Sequence, residues 1–334
     1  MRAKLCVALA LALCVGPITQ SSARHIYANF TVPGGFDTFP TDINDNEVVV
    51  GNYSDDAGND HGFIRTPDHT ITTFDVPGAQ SMQAEWINNK GQISGYFRDS
   101  SGTFHGFLRA RNGSITVVDP AGSTTTFAGE INNKGVVTGS FTDAAGGRYG
   151  FLRNRKGDYT VFNVSGTPVT TPNSLNTEGD VAGTYCVSSC GSFDGFLRLS
   201  SGAITTFSIA GAQHLTVNGM NSHREIVGRY DTFDEGIEAG FIRQPDGQIS
   251  SGVGCGWSDV NNKGRVVGSV TDEHGVNRGC LRSPDGKLTF FDDFRAGKSF
   301  GQGTWASSLN NGHAVTGYYR DDNYAFHGFV AHLH

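Results

Sequence analysis

The sequence predicts an all-β fold, a seven-bladed β-propeller of four-stranded antiparallel blades. Three observations carry that prediction. A unit recurs seven times, no stretch shows the 3.6-residue apolar period of a helix, and the N-terminal segment matches the strand that the last unit lacks. The composition agrees. Glycine supplies 46 of 334 residues, about twice the usual share, while charged residues make up only 17 %. That excludes a coiled coil and a charge-rich disordered chain.

An apolar-Asn pair marks each unit, at Ile43-Asn44, Ile87-Asn88, Ile131-Asn132, Leu175-Asn176, Met220-Asn221, Val260-Asn261 and Leu309-Asn310. The asparagines are spaced by 44, 44, 44, 45, 40 and 49 residues. Downstream in most units comes Gly-Phe, at Gly62, Gly106, Gly150, Gly195, Gly240 and Gly328, with Gly279-Cys280 in the sixth. The second unit shows the strands. Residues 84–88 form strand A, and Asn89-Lys90-Gly91 makes a turn whose glycine tolerates positive φ. Residues 92–97 alternate as strand B, 103–109 form strand C and 115–119 strand D, separated by Asp/Ser/Gly and Arg-Asn-Gly turns. Four short strands per unit are the pattern of a propeller blade.

The ends are expected to meet. The seventh unit runs through Gly328-Phe329-Val330 without a fourth strand, whereas Asn29-Phe30-Thr31-Val32-Pro33-Gly34 matches the strand D end at Thr73-Phe74-Asp75-Val76-Pro77-Gly78. The N-terminal strand should therefore complete the last blade and leave no open edge.

The repeated Ile-Asn-Asn-x-Gly, Asp-x-x-Gly and His-Gly-Phe-Leu-Arg pattern resembles the bacterial extracellular repeat proteins named for a His-Ala-Phe (HAF) motif. Here the motif reads His-Gly-Phe, at His61, His105 and His327. The resemblance implies export and a repeat architecture, and it carries no activity.

Residues 1–23 read as an export signal. Arg2 and Lys4 precede an eleven-residue apolar run at 5–15, too short to span a bilayer, and small residues end the segment at Ser21-Ser22-Ala23. A secreted or periplasmic location follows, with no transmembrane segment. Four cysteines remain beyond the signal, an even number suited to an oxidising compartment. Cys186 and Cys190 should staple a turn, while Cys255 and Cys280 either pair or stay apart. The formal charge of −7 argues against nucleic acid as a partner. No P-loop, dinucleotide fingerprint, His-Glu-x-x-His or nucleophile elbow occurs, so no cofactor and no metal are expected. A monomer is expected.

Residues recurring at one repeat position read as blade builders, which includes His61, His105 and His327 and the unit asparagines. His223-Arg224-Glu225, which replaces an Asn-Lys-Gly type turn, reads as surface. Function more often lives where a repeat is broken. The connections into blades 5, 6 and 7 and the turns between strands B and C fall on one predicted face, and carry His214, Asp234, Glu235, Trp257, His274, Arg295, Lys298 and Trp305. Aromatic rings beside charges suit a carbohydrate or cell-surface ligand. The alternative is a polysaccharide-cleaving enzyme, using two of the inner-strand acids Asp42, Glu85, Glu130 and Asp259 across the channel mouth. A structural envelope protein with no small ligand is the third reading.

Overall fold

Short apolar runs punctuated by Asn, Asp and Gly favour extended chain over helix. The computed structural model describes residues 26–187, 190–232 and 239–333. The expected export signal lies outside them. Among the described residues the chain forms 28 strands, β1–β28 in chain order, and no helix. Blade 1 is the meander β2 (Asp37–Ile43), β3 (Val49–Ser54), β4 (Asp60–Arg65) and β5 (Ile71–Phe74). The same order repeats in the following units, whose inner strands are β6 (Ser81–Ile87), β10 (Ser123–Ile131), β14 (Thr170–Leu175), β18 (Ala212–Met220), β22 (Gly256–Val260) and β26 (Gly303–Leu309). The seventh unit adds β27 (Ala314–Arg320) and β28 (Phe326–His332), and takes its outer strand from β1 (Ile26–Phe30). In that pairing Phe30 stands opposite Gly328.

Apolar side chains are shared between neighbouring blades. Val50 of blade 1, for example, packs with Met82, Ala84, Ile93 and Phe107 of blade 2. The Gly-Phe-x-Arg motif explains how the layers lock. Its phenylalanine is fully buried in six units, at Phe63, Phe107, Phe151, Phe196, Phe241 and Phe329. Its glycine leaves room for the strand D ring of the same blade: a Cβ at Gly62 would lie 2.7 Å from the Phe74 ring. That ring then receives the arginine of the next blade, with the Arg109 guanidinium 4.7 Å from the Phe74 centroid. The contact recurs from blade 7 to blade 1, where Arg65 lies 5.0 Å from Phe30. The N-terminal strand thus makes the same contact as the strand D of blades 1, 3 and 4.

At the turn between strands A and B, six of the seven unit asparagines work in two directions. The Oδ1 of Asn132 accepts hydrogen bonds from the backbone N–H of Lys134 and Val136, fixing its own turn. Its Nδ2 donates to the carbonyl of Asn176 in the next blade at 3.0 Å. Equivalent bonds run from Asn44 to Asn88, Asn88 to Asn132, Asn221 to Asn261, Asn261 to Asn310 and, across the ends of the chain, Asn310 to Asn44. The relay is interrupted once. Asn176 turns its Nδ2 to Asp180, which is fully buried and accepts from Arg224 Nε of blade 5 at 2.7 Å. Arg224, expected to be mere surface, is therefore the clamp between blades 4 and 5.

The motif histidines are braces. His61 Nδ1 lies 2.7 Å from Asp75 and its Nε2 3.3 Å from Asp55, joining strand D to the turn before strand C. His105 repeats this with Asp119 and Asp99. His327 reaches Thr31 and Asp321. Both disulfides form, Cys186 to Cys190 and Cys255 to Cys280. No helix among the described residues is long and apolar enough to cross a membrane.

Removing residues 26–34 strips blade 7 of its outer strand and Arg65 of its ring. The thermal transition of the whole domain, followed by circular dichroism, is expected to fall sharply or disappear. An unchanged transition would show that closure by β1 contributes nothing.

Candidate functional site

The inner strands share an irregularity that shapes the channel. In each of them the pairing register shifts just before the unit asparagine, as between Pro40 and Asp42 or Trp257 and Asp259. A bulge of this kind turns two successive side chains to the same side. Residues three and two positions before the asparagine consequently both reach the axis, and they enclose a chamber of about 80 Å3 lined by Asp42, Trp86, Glu130, Ser174, Asp259 and Ser308 among others.

The three acids in that chamber hold blades together. Asp42 accepts the Ile87 N–H of blade 2, Glu130 the Leu175 N–H of blade 4 and Asp259 the Leu309 N–H of blade 7. Ser308 Oγ lies 2.7 Å from Asp42 and 2.8 Å from Asp259. One hydroxyl hydrogen cannot serve both, so the pair favours holding a proton. Burial pushes Glu130 up to about 8 and Asp259 up to about 6, against the hydrogen bonds they accept, and raises Asp42 as well. The enzyme reading expected facing carboxylates at the mouth. These three instead line this chamber and a space of about 160 Å3 among the asparagine turns, both smaller than the few hundred Å3 of a ligand pocket. Glu85 differs. It opens toward the mouth, into a cavity of about 420 Å3 that also touches Asn52, Asp60, Gln83 and Tyr318, and burial pushes its carboxyl up to about 7.

On the side away from the asparagine turns, equivalent cross-strand pairs stand at Phe39–Asn52, Gln83–Tyr96, Phe127–Ser140, Thr171–Thr184, Thr216–Arg229, Gly256–Ser269 and Trp305–Tyr318, and those of blades 1, 6 and 7, with Gln83 and Arg229, line the cavities at the mouth. Blade 6 contributes only a glycine and a serine. The hollow left there is a cavity of about 590 Å3, bounded by Arg229 of blade 5 on β19 (Ile226–Thr232), Ser269 and Thr271 of blade 6, and Trp305 and Tyr318 of blade 7. The Trp305 and Tyr318 rings stack at 5.3 Å with 20° between their planes. A Cβ at Gly256 would meet Arg229 and Ser269 at ordinary contact distance, 3.8 Å, so a side chain could be accommodated there without a clash.

Of the residues singled out in the sequence, Trp305 lines this cavity as expected. Trp257 does not project from the face. It is 9 % exposed, packs with Val227, Val260 and Cys280, and lies over Gly240, where a Cβ would come within 2.6 Å of its ring. Only its edge reaches the cavity. His214 is held by Asp231, through Nδ1 at 3.1 Å, and His274 sits exposed on a turn, its backbone N–H bonded to Asp272. Arg295 and Lys298 lie on the exposed connection into blade 7, Arg295 over the Phe294 ring, and neither lines the cavity. Asp234 and Glu235 lie outside the described residues. Arg229 and Gly256 went unnoticed in the sequence. Their signal was a column rather than a motif: after the strand B glycine stand Asn52, Tyr96, Ser140, Thr184, Arg229, Ser269 and Tyr318, charged in one blade alone.

No protein-family model matches the chain, and no curated protein matches it. Solved structures do. The chain is similar to virginiamycin B lyase from Staphylococcus aureus at 12 % identity and TM-score 0.59, covering 93 % of this chain and 99 % of that one. It is similar to the β-propeller domain of the Trilobed protease from Pyrococcus furiosus at 9 % identity and TM-score 0.64, covering 88 % and 95 %. A putative TolB from Agrobacterium tumefaciens matches at 11 % identity and TM-score 0.52, covering 80 % and 98 %. The fold is a propeller. At such identities the likeness extends to the fold alone.

The channel carboxyls bind protons more tightly in the folded chain than in the unfolded one. Their stabilising contribution is full below the ordinary carboxyl range, near pH 4, and is lost as pH rises through about 6 to 8. His61 and His105 act in the same direction: burial alone would lower them, but the paired aspartates outweigh it and raise both. Melting temperature is therefore expected to fall between about pH 5 and pH 8. In Glu130→Gln the slope should flatten. A slope identical to that of the parent would remove Glu130 from this account.

Proposed function

We propose that this chain is an exported binding platform that recognises a carbohydrate at the mouth between blades 5 and 7. The observation that carries the reading is the cavity opened by Gly256 and walled by the stacked Trp305 and Tyr318 rings. A flat aromatic wall suits the C–H face of a sugar, and the polar groups around it, Asn218, Ser269, Thr271 and Asn277, suit its hydroxyls. Two disulfides fit an oxidising compartment, which supports a secreted or periplasmic location. The HAF-like repeat motif supports the same placement.

A second reading, a polysaccharide-cleaving enzyme, draws support from Glu85. A carboxyl held near neutrality and open to the mouth can donate a proton to a leaving oxygen. It predicts slow turnover that Glu85→Gln abolishes.

Trp305→Ala and the cavity-filling Gly256→Trp are expected to abolish glycan-array binding while leaving the melting transition in place. Trp257→Ala should instead lose about 3–5 kcal/mol of stability, as large core truncations do. Glycan binding retained in both mouth variants would overturn the proposal.

A further inference from the structure

The mouth has a second lobe. The cavity of about 420 Å3 at Glu85 shares Ser307 and Tyr318 with the one walled by Trp305, so Tyr318 is the partition between them. Both volumes are in the range of a ligand pocket. Two carboxyls, Asp60 and Glu85, line this second lobe, and among the described residues no cation does. Asp60 is already engaged, accepting from Ser54 Oγ at 2.8 Å and from Gln83 Nε2 at 2.7 Å.

Glu85 is not. The acids of the axis are satisfied from within the fold, as Asp42 is by the Ile87 N–H and the Ser308 hydroxyl. Glu85 is enclosed by protein except where it meets the cavity, yet among the described residues nothing donates a hydrogen bond to its carboxyl and no cation pairs with it. The ionisable groups around it are Asp42 and Asp60 of blade 1, Tyr96 of blade 2 and Tyr318 of blade 7, two acids and two phenols. An enclosed carboxyl without a partner, in a fold that provides for its other acids, calls for one from outside. Its surroundings select a cation. The neighbouring acids attract positive charge, and the Phe39 and Tyr318 rings, 5.3 Å apart in the same lobe, offer aromatic surface to it. The formal charge of −7 draws a cationic ligand toward the protein as a whole.

We propose that the Glu85 lobe binds the ammonium group of an amino sugar, one unit of an oligosaccharide whose adjoining ring is seated beyond Tyr318 against Trp305. This rests on the carbohydrate reading above and specifies its ligand class, a hexosamine chain with free amines. A carboxyl held near neutrality suits the task, because it ionises readily once a cation lies beside it. The aromatic wall at Trp305 serves charged and neutral sugars alike, whereas Glu85 rewards only the charged amine. An N-acetyl group, which is neutral, gains nothing from it.

The test is titration calorimetry of the full domain with oligomers of glucosamine and of galactosamine at neutral pH. Each is paired with its N-acetylated counterpart, which keeps ring and linkage and removes the charge, and with neutral hexose oligomers. At least one free amine is expected to bind about tenfold or more tightly than its N-acetylated form. Glu85→Gln and Glu85→Ala should each bring the two forms to the same affinity, and melting curves of both variants control for folding. N-acetylated or neutral oligomers that bind the parent as tightly as the amines would overturn the role of Glu85 and leave the carbohydrate reading standing. So would an amine preference that survives in both folded variants. Silence from every saccharide, neutral and cationic, would overturn both.

Discussion

Each blade of this protein is too small to bury its own apolar faces, and what holds it is a neighbour. The asparagine at the turn after strand A is where that dependence becomes directional. Its carbonyl oxygen fixes the turn of its own blade, and its amide nitrogen bonds the backbone of the next. Only a side chain with a donor and an acceptor on one short stem can do both. Aspartate lacks the donor, and serine lacks the reach to serve two blades. The bond passes around the axis and from Asn310 back to Asn44, so the two ends of the chain are held by the same device as its middle. Where the relay stops, at Asn176, an ion pair between the buried Asp180 and the half-exposed Arg224 takes over.

This division between repetition and exception runs through the whole molecule. Buried phenylalanines and the channel carboxylates serve blade-to-blade cohesion and the brace histidines tie each blade to itself, even where their chemistry looks reactive. The mouth is different because one blade withdraws from it. Gly256 leaves the wall open beside Arg229, and blade 7 answers with two stacked rings. A recognition surface needs such asymmetry, since seven equal blades would present the same groups in every direction.

Most of the architecture could be read from the residues. Repeated turn signals mark the strands, and residues 29–34 echo 73–78 closely enough to place the N-terminal strand beside β28. The mouth was harder because strands read in steps of two. Trp257, read as part of a connection, lies on the inner strand β22, one position past Gly256, and the alternation of the strand sends it into the core instead of onto the face. Trp305 escaped that error by occupying the lumen-facing position itself. Arg229 and Gly256 carry no motif, and their meaning emerges only when the seven copies are stacked in register.

The most direct test of the relay is the melting temperature of Asn132→Asp as a function of pH. The substitution keeps the acceptor that fixes the turn and removes the donor to Asn176, leaving a buried carbonyl unmatched. At neutral pH a loss of about 1–3 kcal/mol is expected. The deficit should shrink as pH falls and the introduced carboxyl regains a proton to donate. A variant as stable as the parent at neutral pH would contradict the claim that asparagine binds one blade to the next.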